Sequence, residues 1–173
     1  MQPLPSGPLL PNFPTMRSFH SALLLFAALI ATGCANRPSP APTSSNLAPL
    51  SSEQSKDIAI HALGLVGTPY RYGGNTLEGG YDCSGLIDYV YRTSTGARPP
   101  RTVAQLAGFG QPVGTADLQT GDLVLFGGNR PTHAGIYVGN GRFVHAPSSG
   151  GDVRMDRLDG PYWSRQQLAV RRP

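Results

Sequence analysis

Three textures of apolar and polar positions follow one another along the chain. Through residues 1–50 the apolar positions keep no period apart from one unbroken run at 21–32, and Pro38, Pro40, Pro42 and Pro49 stand among serines and asparagines. Residues 35–50 bury too little apolar surface to fold and read as a semi-extended tether. Helical spacing then takes over. Ile58, Ala59, Ala62, Leu63 and Val66 fall on one face of a helix opened by a serine cap at Ser51 or Ser52 and closed by Gly67 and Pro69. His61 lies off that face and reads as a solvated helix residue. Leu86, Ile87, Val90 and Tyr91 mark a second helix, with Asp82 as N-cap and Gly96 as its stop, and Pro100-Arg101-Thr102 opens a short helical segment through Leu106. After that come short stretches typical of strands. Residues 122–126, 134–138, 142–146, 153–155 and 168–171 are β-rich and separated by Gly, Pro and Asn turns, and the tail Arg171-Arg172 reads as a solvated end. Helices followed by strands predict an α+β domain, with the helices packed on a central antiparallel sheet of about five strands.

The chain of 173 residues has room for one domain of ordinary size, expected over residues 51–173. The apolar run at 21–32 is too short to span a bilayer, which takes about 20 residues, and suits the core of a secretory signal. Met16-Arg17 precedes it, so Met16 is the expected start, and Ala31-Thr32-Gly33-Cys34 ends it. That ending resembles the lipobox of bacterial lipoproteins. The resemblance implies that residues 1–33 are a leader and signal, that Cys34 is lipidated, and that residues 34–50 tether the domain to a membrane. Ala35 after the cysteine, in place of aspartate, implies the periplasmic face of the outer membrane. Charge adds little. The 14 basic and 10 acidic residues are scattered, with Lys56 the sole lysine, so nothing resembles a nucleic-acid stripe, while a mildly basic surface suits an anionic polymer such as cell wall. Cys34 and Cys83 sit in contexts with separate tasks, so no disulfide is expected; a monomer without a cofactor is.

Candidate chemistry centres on Cys83, which stands in the first turn of the second helix. Unpaired N–H groups and partial positive charge there bias a thiol towards the nucleophilic thiolate, although a lone cysteine is as often an inert buried one. Two histidines change the balance. His133 opens the segment 134–138 and His145 closes 142–145, and the turn between them admits two registers. A two-residue turn at Asn140-Gly141 puts the imidazoles on opposite faces. A three-residue turn over 139–141 pairs 145 with 135 and puts His133, Gly135, Tyr137, Phe143 and His145 on one face. The second register is the expectation, with small Ala134 and Gly135 leaving room near the rings. Cys83 as nucleophile, His133 as base and His145 as orienting group then complete a catalytic triad. The same three side chains could ligate zinc, but no fourth ligand stands at metal-like spacing, and no metal is expected.

Asp82-Cys83-Ser84-Gly85, His133-Ala134-Gly135-Ile136-Tyr137-Val138-Gly139 and Phe143-Val144-His145-Ala146 resemble the three catalytic segments of the NlpC family of papain-like cell-wall cysteine peptidases, and Gly67-Thr68-Pro69-Tyr70, Arg101-Thr102-Val103-Ala104-Gln105 and Pro161-Tyr162-Trp163 agree with it. The resemblance spans residues 52–172. It implies a Cys83, His133, His145 triad, with the Tyr70 hydroxyl and the Cys83 N–H as oxyanion donors and with Ser84 and Arg101 as possible substrate contacts. Tyr72 stands where many relatives carry tryptophan, which bears on groove shape. The implied activity is a murein endopeptidase of DD or LD type, cutting a diaminopimelate-containing bond within or between peptidoglycan stem peptides. A related amidase or acyltransferase, or a wall-binding lipoprotein without catalysis, is the alternative.

Overall fold

The computed structural model describes residues 49–173. The leader, Cys34 and all but the end of the tether lie outside the described residues. Helix α1 (Ser52–Gly64) starts where a reciprocal cap forms: Gln54 N–H donates to the Ser51 hydroxyl at 3.1 Å and Ser51 N–H to Gln54 Oε1 at 3.0 Å. Its buried stripe is narrower than its apolar pattern implies. Ile58, Ala59 and Ala62 face inward with Leu65 completing the layer, whereas Leu63 is 41% and Val66 47% exposed. The helix ends at Gly64 and the turn after it carries Leu65 inward, which leaves Val66 outside. His61 also departs from expectation. It meets the second helix, with Nδ1 3.0 Å from the Thr93 hydroxyl and its ring edge-on to Tyr89.

Helix α2 (Cys83–Thr95) is capped by Asp82 and stopped by Gly96 in the left-handed conformation, φ 75°. It buries Leu86, Ile87, Val90 and Tyr91, and the Tyr91 hydroxyl donates to the Gly121 carbonyl. A single turn, α3 (Val103–Leu106), follows with Thr102 as its cap. Ahead of α2, strands β1 (Asn75–Thr76) and β2 (Gly80–Tyr81) form a small ribbon.

The main sheet is built from β3 (Gln111–Val113), β4 (Leu123–Phe126), β5 (His133–Gly139), β6 (Arg142–His145), β7 (Arg154–Arg157) and β8 (Leu168–Arg172). All six are antiparallel neighbours in the order β3-β8-β4-β5-β6-β7. The strand beyond the five expected is β3. It carries Pro112 and lies at the sheet edge, where a missing N–H breaks no ladder, so a proline-bearing segment reads as a loop until its partner β8 is known. Alternation sends Leu123, Leu125, Ala134, Ile136 and Val144 to the helices, and Val124, Phe126 and Phe143 to the other side, where Tyr137, Leu158, Trp163 and Leu168 cover them.

The turn between β5 and β6 combines both registers. Gly139 pairs with Arg142 across Asn140-Gly141, and a bulge between Tyr137 and Gly139 shifts the ladder so that Tyr137 pairs with Phe143 and Ile136 with Val144. The two-residue turn holds at the tip, and the one-face arrangement of the histidines holds below it. The tail is also more than a solvated end. Arg172 donates through Nε and Nη2 to the two carboxylate oxygens of Asp122, each at 2.8 Å, and Asp122 is 2% exposed. This bidentate pair ties the last strand to the start of β4.

Candidate active site

The loop through Arg71, Gly73 and Gly74 is stapled to the start of α2. Arg71 N–H donates to the Tyr81 carbonyl at 2.9 Å, Asp82 N–H to the Gly74 carbonyl at 3.1 Å, and Gly73 N–H to Asp82 Oδ2 at 2.9 Å. The other Asp82 oxygen caps the helix, accepting from Gly85 N–H at 2.6 Å and from the Ser84 hydroxyl at 2.9 Å. A Cβ on Gly85 would run into the Gly74 carbonyl, so glycine there lets loop and helix close up. Arg101 reaches the Gly73 and Gly74 carbonyls through Nη2 at 3.3 and 3.5 Å and clamps the same junction.

These bonds engage two side chains expected to touch substrate. Ser84 is 4% exposed and its hydroxyl is committed to Asp82 and, at 2.8 Å, to the Arg101 carbonyl. Arg101 is bound to loop carbonyls and lies 3.6 Å from Asp82 Oδ1. Both hold the platform on which Cys83 stands. Tyr70 is half-buried; its N–H donates to the Gly151 carbonyl at 2.8 Å, and the charge of Cys83, after burial, helps hold its hydroxyl above the ordinary tyrosine range.

The Cys83 thiol is mostly buried and lies among the N–H groups of Ser84, Ala134 and its own residue. Those amides favour a thiolate. Burial and the Asp82 charge act against it and win, so the thiol sits above its ordinary value, contrary to the bias expected at a helix start. Ala134 follows His133 directly, so the thiol meets the beginning of β5.

His133 and His145 share the sheet face away from the helices. His133 Nε2 is 2.8 Å from His145 Nδ1, and the rings stand edge to face at 88°. A Cβ on Gly135 between them would come within 2.7 Å of the Phe143 ring and 2.8 Å of the Val144 carbonyl, so glycine there lets β6 lie close. Phe126 and Trp163 stack on His133, and Phe143 and Trp163 flank His145, which is fully buried. Trp163 belongs to a 3₁₀ turn, Trp163–Arg165, placed over this face.

The chain of bonds continues to a residue that sequence reasoning missed. His145 Nε2 lies 3.0 Å from Asp156 Oδ2 on β7. The same oxygen accepts from the Trp163 indole N–H at 2.8 Å and from Arg154 Nε at 3.2 Å. Burial pushes the Asp156 carboxyl up, but the Trp163 and His145 bonds and the Arg154 charge outweigh it and hold the group below the usual carboxylate range. His133 is driven down to about 3, by burial first and then by the charges of His145 and Arg154, with Asp156 opposing. Burial lowers His145 too, against the Asp156 bond. At neutral pH both rings are therefore neutral and Asp156 is charged.

That protonation state fixes the tautomers. A carboxylate only accepts, so His145 carries its proton on Nε2 and offers a bare Nδ1. That nitrogen accepts from His133 Nε2–H, which leaves Nδ1 as the one basic nitrogen of His133. The arrangement can take a proton at His133 Nδ1 and spread the resulting charge towards Asp156. No group of three or more His, Cys, Asp or Glu side chains among the described residues is placed to hold a metal.

The thiol at a helix start thus lies against the strand that carries the first of two bonded imidazoles. The NlpC/P60 family model matches residues 67–172, and the chain belongs to that family. It is 41% identical over 107 residues to the Escherichia coli K12 murein DD-endopeptidase MepS/murein LD-carboxypeptidase, covering 61% of this chain and 56% of that protein. It is 38% identical over 112 residues to the murein DD-endopeptidase MepH of the same strain, covering 62% and 41%. The chain thus spans about half the length of these curated relatives. Among solved structures, the NlpC/p60 domain of the peptidoglycan hydrolase SagA superposes with a TM-score of 0.61 at 30% identity, over 67% of this chain and 97% of that one.

Proposed function

We propose that the domain is a cysteine peptidase that hydrolyses a diaminopimelate-containing peptide bond of peptidoglycan. The observation that carries this reading is the bonded series His133, His145, Asp156 leading away from a thiol at a helix start. The names of MepH, MepS and SagA, all murein or peptidoglycan hydrolases, support the substrate.

Thiol and imidazole are both neutral at rest, so the proton moves as the sulfur attacks. His133 Nδ1 takes it, Cys83 Sγ bonds to the carbonyl carbon, and the imidazolium is stabilised through His145 by Asp156. The Cys83 N–H and the Tyr70 hydroxyl face the developing oxyanion, where each donor is worth on the order of 3 kcal/mol. The C–N bond then breaks, His133 returns the proton to the departing amine, and an acyl thioester stays on Cys83. Water, deprotonated by His133, releases the acid and restores the thiol. One amide and one water give one carboxylic acid and one amine.

The anchor belongs to the same reading. Lipidation of Cys34 would hold residues 51–173 against the wall from the periplasmic face of the outer membrane, with residues 34–50 as the tether. Incorporation of labelled palmitate into the chain, lost in Cys34→Ala, tests it. The activity is tested by incubating the chain with purified diaminopimelate-type peptidoglycan beside Cys83→Ala and weighing the released fragments. New stem-peptide fragments from the parent alone are expected. Identical digests from both, or none from a folded parent with a reduced thiol, would contradict the proposal.

A further inference from the structure

A groove of about 720 Å³ opens on the aromatic side of the sheet, and His133, Arg154, Asp156, Tyr162 and Trp163 form part of its wall. It touches the base of the relay but neither Cys83 nor Tyr70. In amide hydrolysis by this site the acyl part stays on sulfur, while the amine that departs collects its proton from His133. The portion of substrate beyond the scissile nitrogen therefore leaves on the His133 side. We propose that this groove is the leaving-group subsite and that Arg154 in it binds a free carboxylate on the carbon next to the departing nitrogen. The inference rests on the peptidase reading above.

Two cations line the groove, and only one is uncommitted. Arg157 is held by Asp159 through Nε at 2.7 Å and Nη2 at 2.6 Å. Arg154 is half exposed, and among the described residues its side chain bonds only through Nε, to Asp156. Its two terminal amino groups remain for a ligand, and their planar fork matches a carboxylate. Without that cation the Asp156 charge would repel an incoming carboxylate. Apolar surface flanks the cation: Met155 is 38% and Tyr162 63% exposed, both on the groove wall, and Tyr162 packs edge-on against Trp163 at 4.8 Å. The groove thus suits an amino-acid residue with an aliphatic stem and a free α-carboxylate. A bond whose leaving residue ends in a carboxylate is favoured over one whose leaving residue continues as an amide. A cross-link to a diaminopimelate with a free carboxylate meets that condition, and so does a terminal amino acid.

Trp163 is the only tryptophan of the chain and lines the groove, so its fluorescence reports occupancy without any need for turnover. The test titrates the full chain with two diaminopimelate peptides that differ only in an α-carboxylate or a carboxamide on the residue next to the free amine. The carboxylate form should saturate the signal at a concentration at least about tenfold lower, as a charge-assisted pair implies, and Arg154→Gln should abolish the preference while Arg154→Lys keeps part of it. The matching pair of uncleaved substrates should show the same ratio in kcat/KM, carried mainly by KM. Equal binding of acid and amide by the parent would overturn the proposal. So would an Arg154→Gln variant in which both substrates lose activity by the same factor, which is the pattern of an arginine that only steadies Asp156. Preferential binding without hydrolysis would retain the subsite and count against the peptidase reading.

Discussion

The two faces of the sheet bury apolar side chains equally well, and only one of them buries a pair of bonded imidazoles. Towards the helices, Leu123, Leu125, Ala134, Ile136 and Val144 are each 1% exposed or less and pack with Ile58, Leu86, Ile87 and Val90. On the opposite face Val124, Phe126 and Phe143 are buried to within 3%, yet they surround two imidazoles bonded to each other, the second of them bonded to a carboxylate that also accepts an indole N–H. Burial on the first face stabilises the fold at roughly 25 cal/mol per Å² of apolar area. On the second it also excludes water from a polar series, which drives His133 down and strengthens each bond along the relay. The two faces can therefore be told apart by mutation, since one should report in stability and the other in turnover.

The widest separation is expected from His133→Ala. Loss of the base should lower kcat by about 10⁴-fold while the domain stays folded, measured as fragment release per molecule of folded protein. Asp156→Leu comes next. With no acceptor the His145 tautomer is free to invert, and kcat should fall about 10²-fold; Asp156→Asn, whose amide oxygen still accepts, should retain more. A matched pair then compares the faces directly. Leu125→Ala on the helix side should cost about 2–5 kcal/mol in denaturant unfolding with kcat per folded molecule unchanged. Phe143→Leu should cost less than about 1.5 kcal/mol and still lower kcat, because the ring beside His145 is lost. If both variants lost stability alone, the distinction between the faces would fail. The smallest effect concerns the resting thiol. Burial and Asp82 raise Cys83, so the thiolate form grows only as pH rises past the ordinary thiol value of about 8.5. Alkylation by iodoacetamide should be slow at neutral pH and still rising there; a rate already on its plateau at pH 6 would show a resting ion pair instead.

How far each part was legible in the sequence follows from how local its cause is. The caps Ser51, Asp82 and Gly96 act within a few residues, and the apolar spacing of α2 needs no partner to be read. The shared face of His133 and His145 follows from strand alternation, although the bulge that reconciles both registers depends on the turn geometry. Asp156 was hidden because the β-rich stretch read from the sequence stops at Met155, one residue short of it, and Arg154-Met155-Asp156-Arg157 shows no apolar alternation to mark a buried face. Its meaning comes from pairing with β6, where Phe143 lies opposite Asp156. The exposure of Leu63 and Val66, the contacts of His61 and the Arg172 pair likewise depend on neighbours distant in sequence. The Cys83 proton affinity was misread for the same reason: the helix start is local, but the burial that outweighs it is supplied by the packed domain.

The central claim is that Asp156 sets the protonation pattern of both imidazoles, and ¹⁵N NMR of the histidine rings at neutral pH tests it most directly. Neutral rings with the proton on Nε2 in both His133 and His145 are expected, with loss of that pattern in Asp156→Leu. A proton on His133 Nδ1 in the parent, or an unchanged pattern in the variant, would contradict it.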